Sequence, residues 1–455
     1  MKTRILKFQV GCLFFIFVST GQADTFIAGA FNGTTWTLAG SPYLITADAT
    51  CANAQTLTIQ AGVVVKSYAN ARLQIDGTII VQGTATQPVL FTADSANWEG
   101  LFINGGEGTS TLDYCTIEKA NGTSGAALEV TNSTIALSSC TIRDNLTSYG
   151  GVRMTTSSGS FKNCIVLNNS KVGVFLNASS PTIINSIISN NGGVSSYAGV
   201  YGTNAASPQI RNSLIANNTG DDGGGVSASS AVELLNCTIV NNKADNSSLS
   251  SWGGIYVPSS SIVRNCIVAG NINYLGQIQP FSTGSASYRP AATYCVIDEA
   301  YSYGGTGNRI GSPLFKNPTS VAGRTSVPGT ANGQATDFSL QVASLGVNQG
   351  YNAFASALST DIAGKPRIHD VNVDVGCYEY IPGFVNGFAA TIMSAVRIEC
   401  NSEVGRKYRF WYSDDPSFTT SYLLGDVITG TGGRIGTYDT VNQSKRFYRV
   451  TDSPD

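Results

Sequence analysis

Asn236-Cys237-Thr238-Ile239-Val240-Asn241-Asn242 is a frame that the chain writes several times, among them Asn163-Cys164-Ile165-Val166-Leu167-Asn168-Asn169 and Asn212-Ser213-Leu214-Ile215-Ala216-Asn217-Asn218. Aligned on Cys115, Cys140, Cys164, Ser186, Ser213, Cys237, Cys266 and Cys295, it recurs at spacings of 25, 24, 22, 27, 24, 29 and 29 residues. A period of this length marks a solenoid, in which each repeat buries its apolar face only against its neighbours. Two residues after the anchors stand Ile117, Ile142, Val166, Ile188, Ile215, Ile239, Val268 and Ile297. Side chains alternate faces along a strand, so anchor and β-branched residue point the same way, into the core. Three residues before the first seven anchors stand Leu112, Leu137, Phe161, Ile183, Ile210, Leu234 and Val263. An odd offset breaks the period of two, so the chain turns a corner there.

Asn163, Asn185, Asn212, Asn236 and Asn265 occupy that corner, and asparagine tolerates left-handed backbone. A second corner follows at Asn168-Asn169, Asn190-Asn191, Asn217-Asn218 and Asn241-Asn242, with Asp144-Asn145 and Gly270-Asn271 as weaker versions. A third strand opens on glycine at Gly151, Gly173, Gly199, Gly225 and Gly254. Three short strands and three corners per turn predict a parallel β-helix. Coils stacked roughly 4.8 Å apart would set the corner asparagines in ladders, and Asn217→Ala is expected to leave a ladder partner unpaired at roughly 1–3 kcal/mol.

These runs resemble the right-handed parallel β-helix repeat family over most of residues 56–380. Ala61-Gly62-Val63-Val64-Val65 and Trp98-Glu99-Gly100-Leu101 are similar to the first coils of bacterial secreted members. The resemblance implies an all-β, pectate-lyase-like solenoid of about a dozen coils. It implies no single activity, because the family hosts lyases, hydrolases, epimerases, adhesins and inert scaffolds. The series Gly307–Phe315, Asp337–Gln341, Thr360–Ile368 and Val373–Glu379 resembles the terminal segment of choice-of-anchor β-helix proteins and of polymorphic outer-membrane protein passengers. An acid usual in that segment is replaced here within Ser344-Leu345-Gly346-Val347-Asn348. Asp361, Arg367, Asp374 and Glu379 are expected to pair and fasten the final coil.

The 455 residues divide into an expected signal peptide at 1–23, an N-terminal cap at 24–55, the β-helix with its capping segment at 56–381, and a C-terminal β-sandwich at 382–455. Lys2, Arg4 and Lys7 precede an apolar core from Val10 to Val18 that is too short to span a bilayer. The expected location is therefore secreted or cell-surface, with no transmembrane segment after leader removal. With 27 Lys and Arg against 29 Asp and Glu, and a net charge of −2, there is no basic footprint for nucleic acid. Charged and aromatic residues alternate through Arg406–Tyr412 and Lys445–Val450, the pattern of a half-buried antiparallel sheet.

Ten cysteines less Cys12 of the leader leave nine, six of them anchors. Serine replaces them at Ser186 and Ser213, so they are expected as buried free thiols that behave as small hydrophobes; Cys51, Cys377 and Cys400 have no assigned state. The best acidic constellation is Asp221 and Asp245, each eight residues after its anchor, with Asp222 and Lys243 beside them. Stacked carboxylates suit retaining glycoside hydrolysis or calcium, although both sites also read as surface turns. Tyr274, Phe281, Tyr288 and Arg289 in the long loop 272–292 form a candidate aromatic platform for sugars. His369 is the only histidine, which removes the usual base of many epimerases and some lyases. The expected function is a binding or adhesion scaffold for polysaccharide or cell-envelope material, without catalysis and with calcium as the only cofactor considered. A polysaccharide lyase or glycoside hydrolase is the alternative.

Overall fold

The computed structural model describes residues 24–381 and 395–453, except 95–97, 107, 124, 194–196, 198, 222, 247–251, 283–285, 300–303, 319–336, 402, 414–416, 418, 425–426, 430, 432–433 and 441–446. The expected leader and Asp222 lie outside the described residues. After Ile381 the chain divides into two compact units. In the first, one coil runs Thr134–Ser138, Thr141–Arg143, Val152–Thr155, and the next begins at Ser158–Lys162. Strands of the Thr134–Ser138 type stack as an eleven-stranded parallel sheet from Thr34–Trp36 to Ala292–Thr293. The anchor strands and the glycine strands form the other two faces, and every coil-to-coil pairing in the repeat region is parallel and in register. The segment 24–55, expected as a cap, is itself coiled: Thr25–Phe31 pairs parallel with Tyr43–Cys51, and Thr34–Trp36 with Leu57–Ile59.

Each corner turns on one left-handed residue: Asn163, Asn185 and Asn212 at φ 55°, 51° and 49°, and Asn168, Asn190 and Asn217 at 57°, 55° and 57°. The third corner turns on Asn132, Thr156 and Ala178 at 48°, 50° and 50°. Behind the turning residue runs a side-chain ladder. At the second corner it consists of Asn145, Asn169, Asn191, Asn218, Asn242 and Asn271, all fully buried. Each amide nitrogen donates to the next amide oxygen at 2.8–3.1 Å. The same oxygen accepts the backbone N–H of the preceding coil, as Asn242 Oδ1 does from Asn218 at 2.9 Å. The continuous ladder thus belongs to the second residue of each pair, while Asn168, Asn190 and Asn217 supply the left-handed turn and are buried as well, with Asn168 Nδ2 donating to Asp144 Oδ1. Glycine opens the third strand because a Cβ on Gly199 would lie 2.6 Å from the Asn218 amide nitrogen.

Serine does the equivalent work at the third corner, where Ser157 Oγ accepts the Ser133 N–H at 3.2 Å and Ser179 Oγ that of Ser157 at 3.0 Å. The anchors form the remaining ladder. Ser213 Oγ donates to Arg211 O at 2.8 Å and accepts the Ser186 N–H at 3.1 Å, and Cys266 Sγ donates to Arg264 O at 3.1 Å and accepts the Cys237 N–H at 3.4 Å. Cysteine and serine interchange here because each supplies a small donor-acceptor to a left-handed corner. The anchors are therefore more than the small hydrophobes expected of them. All nine cysteines of the described residues are free; eight are buried and Cys400 is half-buried. Burial holds the Cys266 thiol well above its ordinary range. Alkylation without reductant is expected to label Cys400 in the native protein and the other eight thiols only after denaturation, whereas a missing pair in the denatured count would reveal a disulfide.

From Asp337 to Ile381 the chain runs back along the outside of the anchor face as a strap. Phe338, Leu340, Val375 and Cys377 pack on Leu214, Ala216, Val240, Ile267 and Ala269, the outward positions of those strands. Corner asparagines hold it: Asn212 Nδ2 donates to Thr360 O at 3.0 Å, Asn236 Nδ2 to Phe354 O at 2.8 Å and Asn265 Nδ2 to Tyr351 O at 3.0 Å. Of the described residues Asp361, Arg367, Asp374 and Glu379, only Arg367 and Glu379 form an ion pair, at 2.5 Å and both 1 % exposed. The carboxylates of Asp361 and Asp374 instead accept backbone N–H groups, Asp361 from Lys365 and Glu379 at 2.8 Å and Asp374 from Asn348 at 2.7 Å. In the second unit Ala395–Asn401 pairs antiparallel with Arg434–Thr440, and Lys407–Ser413 pairs with Phe447–Ser453.

Candidate functional site

The glycine face presents one outward residue per coil at its centre. Strand register aligns Gln74, Phe102, Glu129, Arg153, Phe175, Tyr201, Ser227 and Tyr256 partner by partner. Their neighbours in sequence point inward, as Val174 and Leu176 do on either side of Phe175. The loops that follow the asparagine ladder add further rings. Tyr197 stacks on Tyr201 at 3.8 Å and 8°, Trp252 on Tyr256 at 4.6 Å and 5°, and Tyr288 on the other side of Tyr256 at 4.4 Å and 5°. Tyr149 meets Phe175 edge-on at 5.5 Å. Between the two groups the turn at Gly223, with φ 68°, lies against Ser227 and Tyr256, where a Cβ would come within 3.0 Å of both side chains.

Charge on this face comes in pairs. Arg153 Nη1 lies 3.4 Å from Glu129 Oε1, and its guanidinium covers the Tyr149 ring at 4.1 Å. Arg72 bonds Asp48 at 3.1 Å and covers Phe102 at 5.3 Å. Burial pushes the Glu129 carboxyl from 4.5 up to about 7, against the opposing pull of Arg153 and of the Ala126 N–H. A folded-state value above the unfolded one means that the carboxyl costs nothing below about pH 4.5, and that its cost grows until pH passes about 7. Glu129→Gln carries no such cost, so its stability relative to the parent is expected to rise by up to roughly 3 kcal/mol from acid to pH ~8. Urea midpoints of both proteins across that range test this, and a constant difference would show an ordinary carboxyl.

The acidic constellation is brought together in part. Thr219–Gly220 pairs parallel with Lys243–Ala244, which sets Asp221 and Asp245 on adjacent coils. Asp245 Oδ1 is held by Lys243 Nζ at 3.0 Å, so the lysine expected beside the acids neutralises one of them. Among the described residues no three His, Cys, Asp or Glu side chains converge to hold a metal ion. The aromatic platform of loop 272–292 is not a unit. Phe281 is 1 % exposed and belongs to the core, because its bridge to Ile255 makes it part of a coil; it is removed from the candidate surface. Tyr274 stands exposed on a turn closed by Asn273 and Gln277. Tyr288 joins the Tyr256 stack, with the half-buried Arg289 beside it. The row itself escaped sequence reading, although its signal was regular: the second residue after each opening glycine is Arg153, Phe175, Tyr201, Ser227 or Tyr256.

Residues 29–163 match the family of pectate-lyase-like β-helix domains, and residues 150–304 match the right-handed β-helix region. Together the two matches span residues 29–304, nearly all of the coiled part of the chain, and support a right-handed parallel β-helix repeat there. Comparison with curated proteins and with solved structures gave no match.

Proposed function

We propose that this protein is a secreted or cell-surface β-helix scaffold that binds carbohydrate along the outward row of the glycine face. The observation that carries the reading is the register itself, which strings Phe102, Phe175, Tyr201 and Tyr256 along one line and flanks them with stacked tyrosines and Trp252. On that line Phe102, Tyr201 and Tyr256 are half-buried, whereas Phe175 and the flanking Trp252 are buried; partly exposed aromatic side chains with polar edges suit pyranose rings, whose C–H faces are apolar and whose hydroxyls need hydrogen bonds. The apolar leader motivates export, and no helix among the described residues is long and apolar enough to cross a membrane. Depletion of the purified protein by insoluble plant, algal and bacterial envelope polysaccharides tests the reading. Tyr201→Ala and Tyr256→Ala are expected to remain in the supernatant while melting like the parent, and equal depletion of parent and variants would place binding elsewhere. The same assay with calcium and with chelator tests a contribution from Asp221 and Asp245.

A second reading, a carbohydrate-active enzyme, is favoured by the Glu129 carboxyl, which is pushed to about 7 in the middle of the row and so suits a general acid or base. Release of reducing or unsaturated sugar ends that disappears in Glu129→Gln would establish it; no release by the parent would leave the scaffold.

A further inference from the structure

We propose that the cleft between the first corner and the strap binds a small carboxylate carried on an apolar body, at a site separate from the glycine face and independent of the function read from it. Strand register sets Arg211, Leu235 and Arg264 at one position on three successive coils, each the last residue of its strand. Beside them the strap makes a short turn of 3-10 helix, Asn352–Phe354. The space between is a cleft of about 240 Å³, lined also by Asn236, Phe354, Ser356, Ala357 and Leu358. Its strap wall is fixed, because Asn236 Nδ2 donates to Phe354 O at 2.8 Å and the Phe354 ring meets Tyr351 edge-on at 5.0 Å and Tyr294 at 6.2 Å. Charge in the cleft is unbalanced. Arg211 is answered by Glu233 at 2.6 Å and by Gln209 at 3.0 Å. The Arg264 guanidinium lies 4.8 Å over the Phe354 ring and has no hydrogen bond or ion pair with any described residue, and no acidic residue lines the cleft. A guanidinium stacked on a ring keeps its N–H fork open at the edge, where a carboxylate fits with two parallel hydrogen bonds. One unanswered cation matches one negative charge, and Leu235, Phe354, Ala357 and Leu358 offer apolar contact to the rest of the ligand. A dianion would bring a second charge against those apolar walls with nothing to balance it. The volume lies below the usual range for drug-sized ligands, which limits the occupant to a small molecule.

The test is calorimetric titration of the full chain with benzoate and cyclohexanecarboxylate, with benzamide as the uncharged counterpart and inorganic phosphate as the dianion. It is run at pH ~8, where carboxylates are ionised and phosphate carries two charges. Saturable binding of at least one carboxylate is expected, about tenfold or more tighter than that of benzamide or phosphate, and weakened about tenfold or more by Arg264→Gln. Ala357→Phe, on the exposed wall of the cleft, should abolish binding by filling the space while leaving the guanidinium intact. Should Arg264→Gln lower the melting midpoint through loss of its ring contact, Ala357→Phe decides alone. Carboxylate binding that survives in either folded variant would place the anion elsewhere and overturn the proposal. Equal affinity for benzamide or phosphate, or no binding of either carboxylate, would overturn it too. The aromatic row is read separately, since Tyr201→Ala and Tyr256→Ala should leave carboxylate binding unchanged.

Discussion

Asn218→Ala is expected to destabilise the first unit by roughly 2–6 kcal/mol, because it orphans two buried backbone groups at about 1–3 kcal/mol each. Asn218 Oδ1 accepts the Asn191 N–H at 3.0 Å, and Asn218 Nδ2 donates to Ile188 O at 2.9 Å. Both groups lie in a corner closed to water, where Asn191 and Asn218 are fully buried. The amide ladder is also cut in the middle, since the bonds to Asn191 at 3.1 Å and to Asn242 at 3.0 Å disappear together. Asn217→Ala should cost less, about 1–2 kcal/mol, because alanine lacks the local amide bonding that lets asparagine adopt left-handed backbone and because the buried Asn217 side chain loses its own interaction. Denaturant unfolding of the two variants separates the roles. Equal losses would mean that the turn rather than the ladder sets the strength of this corner.

Arg367→Met is the second large effect, with an expected loss of about 3–5 kcal/mol in the stability of the strap. The guanidinium is 1 % exposed, bonds Glu379 at 2.5 Å and Gly376 O at 2.5 Å, and reaches Asn236 Oδ1 at 3.2 Å on the solenoid corner. Methionine fills much of the volume but leaves the Glu379 carboxylate buried without its cation. It also removes a charged side chain that ties the strap to an asparagine of the coil. Release of the strap would uncover Leu214, Ala216, Val240 and Ile267, so fluorescence of an apolar dye should rise below the main unfolding transition. Arg367→Lys should not restore the parent, because one ammonium cannot span the carboxylate and the Gly376 carbonyl as the planar fork does. A variant that unfolds in a single step at the parent's midpoint would show that apolar packing alone holds the strap.

Legibility followed periodicity. Anchors, β-branched partners and corner asparagines recur at fixed offsets, and an offset from an anchor fixes a face, so the three-cornered coil could be written from Cys115–Ile297 alone. The strap was half legible. Of the four residues expected to pair, Arg367 and Glu379 do so while Asp361 and Asp374 hold backbone N–H groups, and the surface the strap fastens to showed only as apolar residues at outward positions, from Ile187 through Leu214 and Val240 to Ile267. Loop residues were the least legible. Phe281 and Tyr288 stand seven residues apart in one irregular segment, yet one closes the core and the other stacks on Tyr256. Nothing in a loop's spacing states which way its side chains face.

The sequence by itself determined the solenoid, its three corners and the interchange of cysteine with serine, because a repeating unit of some two dozen residues reports its own inward face at every pass. Only the tertiary structure decided which asparagine of each pair carries the continuous ladder, that the Lys243 ammonium belongs to Asp245, and that Phe102, Phe175, Tyr201 and Tyr256 share a line. The ladder and the row depend on contacts between residues 22 to 29 positions apart, set by strand register, and the Lys243 and Asp245 contact on the path of the loop they share. An outward position, free of the core's demand for apolar volume, carries no periodic mark of its own until the coils are stacked.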